Sequence, residues 1–257
     1  TKSIFRKISM TKAGSHKYQN GLLLTIAGSR QYHGSLVFAA ETASRLADLI
    51  FICTAKENFS IVKKYSPAFI VHPFSSSKKL AKDADSILIG PGIDSGKQMK
   101  KLVNELVSKN IGKKIVLDAT ALRLVNASKL HENCVVLPHA KEFKALFKMP
   151  ATKENVVKAA KKFNCIVCLK GKIDFISDGK KLYCNYTGNE GMTKGGTGDT
   201  LAGLAAGFAS KSPLLESVLA AIYLNGYAGD LLKKKKGIMF SATDLMEKLP
   251  EAFKALR

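Results

Sequence analysis

The chain has 257 residues with 46% hydrophobic and 24% charged side chains, and its formal net charge is +21. This length and hydrophobic content predict one α/β domain over residues 1–257 with a large buried core. No apolar run approaches the ~18 residues that a membrane span needs, so the composition excludes a membrane-spanning chain. Residues 1–20 contain no apolar signal-peptide core, which argues against secretion and favours the cytoplasm.

Short apolar strands alternate with helices along the chain. Strands are predicted at residues 21–27, 49–53, 68–71, 86–89, 114–117, 134–137 and 165–169, and helical patterns at residues 37–47, 97–109 and 153–162. Residues 174–177 and 181–184 flank the turn sequence Asp178-Gly179 and predict a β-hairpin. Two or three helices are predicted to follow residue 200. The alternation is typical of a mostly parallel sheet with helices on both faces.

The five cysteines could signal redox chemistry or metal binding. Cys165 and Cys168 have the C-x-x-C spacing of a redox motif or half of a zinc site. They lie within a predicted buried strand, however, and no second pair follows; Cys53, Cys134 and Cys184 stand singly on similar apolar runs. We therefore predict free cysteines packed in the core, which fits a reducing compartment.

The most informative segment is rich in glycine and precedes a predicted helix of small apolar residues. Its backbone can curl into an anion-binding nest at the helix N-terminus, formed by Gly195, Gly196, Thr197 and Gly198. Asp199 at the mouth of that nest would repel a phosphate, so chemistry is the simplest reason for its presence. A base could take a proton from a hydroxyl group that then meets a phosphoryl group. In the alternative interpretation, Thr197 or Asp199 merely caps the helix.

Several other polar or glycine-rich segments follow predicted strands, at the edge where open α/β sheets bind ligands. Gly28-Ser29 follows the first strand, His139 follows the strand at 134–137, and Lys170-Gly171 follows the strand at 165–169. Structural alternatives remain for each: His139 as a solvent-facing loop residue, Lys170 as an ordinary surface lysine, and Glu142 as a carboxylate that favours a helix start.

The order of these motifs resembles a known family. Gly195-Gly196-Thr197-Gly198-Asp199 resembles the G-[AG]-G-D signature of the ribokinase-like superfamily. The longer segment at residues 187–199 is similar to that of the ADP- or ATP-dependent NAD(P)H-hydrate dehydratases. Further matching blocks occur in the family's order at residues 27–34, 89–92, 116–119, 137–143, 169–171 and 178–179. The resemblance spans roughly residues 20 to 250, and it implies a single ribokinase-like domain.

The resemblance also implies site residues. Those that would meet the hydrated dinucleotide are Ser35, Gly92, His139 and Asp199. Those that would bind the adenine nucleotide are Lys170, Gly171, Lys172, Ile173, Asp174 and Gly198. Glu142 would organise Mg²⁺ indirectly, through water. Four departures from the family pattern occur: Ser35 replaces a common alanine, Asp94 stands where a further glycine is common, Ala140-Lys141 replaces the usual Pro-Gly, and Glu190 replaces a frequent proline.

The implied reaction repairs the S epimer of hydrated NADH or NADPH (NADHX or NADPHX). Asp199 would deprotonate the C6 hydroxyl group, whose oxygen attacks the terminal phosphoryl group of ADP or ATP; loss of phosphate then regenerates NADH or NADPH. The sequence does not choose between the two donors or the two substrates. Relatives often assemble as tetramers, so a homo-oligomer is also implied.

Two other functions stay open at this point. A ribokinase-like kinase of a small molecule, such as a vitamin-precursor alcohol, would share Asp199 and the nest. A non-catalytic nucleotide- or nucleic-acid-binding protein is suggested only by the net charge of +21. The lysines recur throughout the chain without a recognised nucleic-acid motif, so nucleic-acid binding is not favoured. They predict a solvated cationic surface that steers polyanionic substrates.

Overall fold

In the computed structural model, which describes residues 2–11 and 13–257, nine strands form one sheet. The strands are β1 (Leu22–Ile26), β2 (Leu49–Thr54), β3 (Phe69–Pro73), β4 (Ser86–Ile89), β5 (Lys114–Leu117), β6 (Cys134–Val136), β7 (Ile166–Leu169), β8 (Asp174–Ser177) and β9 (Leu182–Asn185). Their order across the sheet is β3-β2-β1-β4-β5-β6-β7-β8-β9.

The strands up to β7 pair in parallel, and β8 and β9 add an antiparallel hairpin at one edge. Parallel neighbours need crossover connections, which the intervening helices supply. After β1 the chain runs outward through β2 and β3, and then returns to the other side of β1 with β4. This reversal creates a topological switch point between β1 and β4, the place where open α/β sheets form a crevice.

Ten α-helices connect and cover the strands in the described part of the chain. They are α1 (His33–Ser44), α2 (Phe59–Tyr65), α3 (Ser77–Leu80), α4 (Lys97–Lys109), α5 (Thr120–Leu124), α6 (Ala140–Phe147), α7 (Lys153–Phe163), α8 (Thr197–Ala209), α9 (Leu214–Lys236) and α10 (Ala242–Leu256). Short 3₁₀ helices lie at Lys2–Arg6, Lys56–Asn58, Phe74–Ser76, Ala127–Lys129 and Glu190–Met192. No helix of the described residues has both the length and the hydrophobicity to cross a bilayer.

The core lies on both faces of the sheet because successive side chains of a strand point to opposite sides. Leu23 of β1 packs into a cluster with α1, α8, α9 and α10. Leu24, the next residue, packs into a second cluster with α4, α5, α6 and α7. The predicted fold class, a mostly parallel sheet covered by helices on both faces, is confirmed.

Helices α1 and α8 approach each other closely through small residues. A Cβ atom at Gly203 of α8 would overlap the backbone carbonyl oxygen of Ala39 in α1. A Cβ atom at Gly207, one turn later, would lie 3.1 Å from the side chain of Leu46 and 3.2 Å from the Cα atom of Ala43, a tight contact without overlap. This contact places the N-terminus of α8 next to the loop that precedes α1.

Some predicted elements need correction. The helix predicted at residues 37–47 begins earlier, at His33, and ends at Ser44. The strand predicted at 68–71 extends to Pro73. Four cysteines are buried and free as predicted, but Cys184 is exposed. Cys184 lies on the edge strand β9, where Tyr183 packs on the core and Cys184 points to the other side. The apolar residues around Cys184 therefore did not indicate that its own side chain is buried.

Candidate functional site

The site lies where the parallel strands end. Strands β1, β4, β5, β6 and β7 are neighbours in that order, and each is followed by a segment singled out by its sequence. From one side of the sheet to the other, these segments begin with Gly28, Gly90, Asp118, His139 and Lys170. Residues from five separate parts of the chain therefore meet at one edge, because all these strands point the same way.

A cavity of about 820 Å³ opens beside the β7 end of this row. The predicted nucleotide-binding residues all line it: Lys170, Gly171, Lys172, Ile173, Asp174 and Gly198. Its other walls come from residues 186–190, 192 and 193 and from one face of α9 that includes Ile222, Asn225 and Gly226. A mixed apolar and polar cavity of this size is typical of a small-molecule site.

Asp174 holds the turn between β7 and β8 in shape. Its Oδ1 accepts a hydrogen bond from Gly171 N at 2.9 Å, and its Oδ2 accepts one from Asn185 Nδ2 at 2.9 Å. Burial raises the pKa of this carboxyl group, although both hydrogen bonds oppose the rise. The turn thereby presents residues 170–174 to the cavity as one connected segment.

The glycine-rich segment leads into α8 without a side-chain cap. Gly196 is the N-cap residue, with φ at +94°, a conformation that favours glycine. The alternative interpretation, in which Thr197 or Asp199 merely caps this helix, is wrong, because the N-cap is Gly196 and no side chain caps it. The Thr197 hydroxyl instead turns back and bonds to the carbonyl oxygens of Met192 and Lys194. The first turn of α8 is left open to an anion. Of the four predicted nest residues, Thr197 and Gly198 line the cavity. Gly195 and Gly196, which precede them in the chain, do not line it.

Asp199 lies in the first turn of α8 with a strongly perturbed carboxyl group. Burial raises its pKa from 3.8 to about 7, and the charge of Asp118 acts in the same direction. A hydrogen bond from Ser35 and the charge of Lys170 oppose the rise. Gly92, another predicted substrate residue, approaches the Cβ of Ser35, since a Cβ at Gly92 would lie 3.1 Å from it. The structure thus gathers Ser35, Gly92 and Asp199 near the β1–β4 switch point. A carboxyl group of this pKa suits proton abstraction near neutral pH.

An ion pair joins the segment that follows β5 to the segment that follows β7. Lys170 Nζ lies 2.7 Å from Asp118 Oδ1, and the side chain of Asp118 is only 3% exposed. Burial acts to lower the pKa of Lys170, but the charge and hydrogen bond of Asp118 outweigh it, so this pKa lies above its ordinary value. A methyl group at Gly198 would lie 3.8 Å from Lys170 Nζ. The ammonium group therefore sits between the cavity and the first turn that carries Asp199.

His139 and Glu142 form a capping box at the start of α6. The backbone N–H groups of Lys141 and Glu142 donate to His139 Nδ1 at 3.1 and 3.3 Å, and His139 N donates to Glu142 Oε2 at 2.9 Å. This explains how a histidine can stand where helices usually begin with Ser, Thr, Asp or Asn. The backbone of His139 also forms an isolated parallel β-bridge with that of Lys170, which brings His139 beside the ion pair.

Comparison with known proteins extends these observations. Residues 23–251 match the family described as NAD(P)H-hydrate dehydratase. A curated ADP-dependent (S)-NAD(P)H-hydrate dehydratase from Cenarchaeum symbiosum is 38% identical over 263 residues, covering 93% of this chain and 91% of that protein. The chain belongs to the NAD(P)H-hydrate dehydratase family. The predicted family is confirmed, and the dehydratase activity named for this relative belongs to the predicted enzyme class, a lyase.

Two further relatives define the extent of the similarity. A bifunctional NAD(P)H-hydrate repair enzyme from Methanocaldococcus jannaschii is 35% identical over 254 residues, covering 94% of this chain; the chain spans about half, 50%, of that enzyme's length. A ribokinase-like superfamily protein from Enterococcus faecalis has a crystal structure that superposes with a TM-score of 0.90 at 28% identity. The superposition covers 100% of this chain and 95% of that one. The ribokinase-like fold of this dehydratase-family chain is confirmed.

Sequence reasoning missed the part of the site that α9 contributes. Asp230 of α9 accepts hydrogen bonds from Gly188 N and Asn189 Nδ2, both at 3.0 Å, and so ties the glycine-rich segment to the helix. Gly226 permits close approach, because a Cβ there would overlap Thr187. The only sequence pattern that could have indicated this role of α9 was the presence of glycines within an apolar helix. Ordinary helix packing produces the same pattern.

The residues fit magnesium only as an ion that keeps most of its own water. Among the described residues, no group of three or more His, Cys, Asp or Glu side chains could hold a metal ion directly. Glu142 uses Oε2 for the capping box, so Oε1 is the oxygen that could accept from a metal-bound water. Magnesium is usually bound by one or two carboxylates together with substrate phosphates. One carboxylate that interacts electrostatically with Lys170, as Glu142 does, is consistent with that pattern.

Proposed function

We propose that the chain catalyses nucleotide-dependent dehydration of the S epimer of NADHX and NADPHX, with ADP or ATP as phosphoryl donor. The observation that carries the proposal is the position of Asp199. Its carboxyl group, with a pKa of about 7, lies in the helical turn whose neighbour Gly198 lines the 820 Å³ cavity. Membership of the family and the 38% identity to an ADP-dependent dehydratase support the choice of substrates.

The nucleotide would occupy the cavity with its phosphates toward the open first turn of α8. Backbone N–H groups at this turn and the Lys170 ammonium group would face the terminal phosphoryl group. The hydrated nicotinamide ring would lie on the other side of Asp199, near Ser35, Gly92 and His139. Asp199 would then lie beside the C6 hydroxyl group, where it can take the proton, and the hydroxyl oxygen would be free to approach the terminal phosphorus in line with the leaving oxygen.

The chemistry would proceed in two stages. Asp199 accepts the proton of the C6 hydroxyl group as that oxygen forms a bond to the terminal phosphorus and the bond to the donor's bridging oxygen breaks. ADP is released as AMP, or ATP as ADP. The lone pair of the ring nitrogen then expels the C6 phosphate, and loss of the C5 proton restores the dihydronicotinamide. Because phosphate leaves far more readily than hydroxide, the first stage makes the second one fast.

The proposal includes a cofactor, an assembly and a compartment. Magnesium, when bound with the nucleotide, supplies positive charge to the phosphates, and Glu142 is the residue that would hold its waters. Assembly as a homo-oligomer such as a tetramer rests on the family resemblance. Location in the cytoplasm is supported by the free buried cysteines, of which Cys165 and Cys168 have the closest spacing.

The test is recovery of absorbance at 340 nm from hydrated NADH, with magnesium and either ADP, ATP or no nucleotide. Nucleotide-dependent recovery is expected, and the nucleotide that supports it identifies the donor. Asp199→Asn should abolish turnover while ADP binding stays within about threefold, since the change removes the base but no cavity contact. Asp178→Asn, at the β8–β9 turn and outside the cavity lining, is the matched control and should remain active. Folded protein that restores no absorbance from either substrate epimer would refute the proposal and favour a small-molecule kinase.

A further inference from the structure

We propose that Asp118 is a positioning residue: it anchors the Lys170 ammonium group beside the first turn of α8, where the terminal phosphoryl group of the nucleotide would lie, and keeps it from pairing with Asp199. The proposal deepens the proposed function and depends on it for the direction in which the nucleotide lies. Asp118 itself does not line the cavity, so it acts through Lys170.

Several carboxylates, among them Asp174, interact with one ammonium group in this part of the site. Asp118 holds it at 2.7 Å. Lys170 also interacts electrostatically with Asp199 and with Glu142. If the ammonium group moved to Asp199, the ion pair would occupy the carboxylate that must accept a proton and would withdraw the cation from the cavity. A short pair with Asp118 avoids both effects, because charge-assisted hydrogen bonds of this length are strong.

The backbone on both sides of Asp118 is fixed. Asp118 N donates to Ile89 O at 3.1 Å, and Asp118 O accepts from Ala121 N at 3.2 Å. Ala119, the next residue, has φ at +50° and ψ at −125°, a conformation that residues with a side chain rarely adopt. Gly90, with φ at +132°, leaves room for this turn, since a Cβ there would overlap Asp118 O. Strain of this kind persists where the surrounding structure holds it in place, and such positions cluster at functional sites.

Lys170 is fixed at its own end by the sheet. Its backbone N–H donates to Pro138 O at 2.8 Å, beside the end of β6. Its side chain is 22% exposed, reaches Asp118 and lies along Gly198 at the cavity wall. With the backbone of both partners anchored, the side-chain pair sets where the ammonium group lies. Replacement of the Asp118 carboxylate keeps these backbone hydrogen bonds and takes away the partner of the ammonium group.

The experiment is a double-mutant cycle on nucleotide binding, measured by calorimetry with ADP and with AMP, which lacks the terminal phosphate. Asp118→Asn should weaken ADP binding about tenfold, the scale of a hydrogen bond to a charged group, and change AMP binding less than about twofold. In the Lys170→Met background the same substitution should have no further effect on ADP binding. Equal losses for ADP and AMP would indicate a merely structural role, and additive losses in the double variant would show that Asp118 does not act through Lys170; either result overturns the proposal.

Two controls keep the result interpretable. Asp118→Asn leaves a buried cation without its partner and could impair folding, whereas Asp118→Asn/Lys170→Met removes both charges. Comparison of this double variant with Lys170→Met then suffices: equal ADP affinity supports the proposal, and a further tenfold loss refutes it. Asp85 directly precedes β4, at the amino ends of the parallel strands and away from the site. Asp85→Asn should leave ADP affinity unchanged. Because binding needs no turnover, wild-type protein that binds ADP without restoring absorbance would refute the proposed function alone.

Discussion

The carboxyl group of Asp199 should reduce the stability of the folded protein at neutral and alkaline pH. Its pKa is about 7 in the folded state against an ordinary value of 3.8, chiefly through burial. Between pH 4 and pH 7 the folded state keeps a proton that the unfolded chain releases, so stability falls as pH rises through this window. Above pH 7 the full cost is present, and the difference between the two pKa values corresponds to about 4 kcal/mol. Because the side chain is partly exposed, about 2 kcal/mol is the working expectation.

Asp199→Asn removes this cost, since an amide carries no charge to bury. The variant should therefore be more stable than wild type by about 2 kcal/mol at pH 8 and equally stable near pH 4, while it loses turnover. Urea unfolding followed by circular dichroism at several pH values measures the difference. At this chain length, about 2 kcal/mol corresponds to a rise in Tm of roughly 4–8 °C.

The control for this prediction is another aspartate. Asp178 accepts hydrogen bonds from the backbone N–H groups of Lys180 and Lys181, and these outweigh its slight burial and lower its pKa. Asp178→Asn should therefore give no gain in stability at pH 8. A stability difference between Asp199→Asn and wild type that stays constant from pH 4 to pH 8, or a variant less stable at pH 8, would refute the reasoning.

Three further predictions concern turnover, packing and binding. Because only ionised Asp199 accepts a proton, kcat/KM should fall about tenfold per pH unit below pH 7, and a flat profile from pH 5 to pH 8 would contradict its role as the base. Gly203→Ala should lower the free energy of unfolding in urea by about 1–3 kcal/mol through overlap with Ala39. Gly112→Ala, with open space around it, should lower it by less than about 0.5 kcal/mol, and similar losses for the two variants would argue against the close α1–α8 contact. Tyr186, 71% exposed at the cavity wall, should stack on the nucleobase, so Tyr186→Ala should weaken ADP binding about tenfold at unchanged Tm, and unchanged affinity would exclude stacking.

Much of the fold was predictable because it depends on local patterns. The apolar runs at residues 86–89 and 114–117 coincide with β4 and β5. The hairpin predicted around Asp178-Gly179 forms, with Gly179 at φ +84°. The element bounds that differ lie at ends where tertiary contacts decide, as in the start of α1 at His33, beside the loops of the site. The exposure of Cys184 was missed because apolar patterning cannot tell an edge strand from a central one.

The candidate site was predictable only in part. Parallel strands bring their carboxyl ends to one edge, so the residues after β6 and β7 were expected to lie together, and the segment 170–174 does line one cavity with Gly198. The roles of Ser35, Gly92, His139 and Glu142 remain predictions. The wall that α9 supplies and the hydrogen bonds of Asp230 could not be anticipated, because an apolar helix with two glycines has the same sequence pattern in any packed core.

The sequence by itself determined most strands and helices and predicted which residues on them carry chemistry, since both depend on residue type and short-range spacing. Only the tertiary structure decided the electrostatics. Asp118 and Lys170 stand 52 positions apart in the chain and meet at 2.7 Å, and Asp199 acquires a pKa of about 7 from burial and from the charge of Asp118. A pKa depends on the dielectric surroundings and on charges brought close by folding, and neither exists until the strands have paired and α8 has packed against α1.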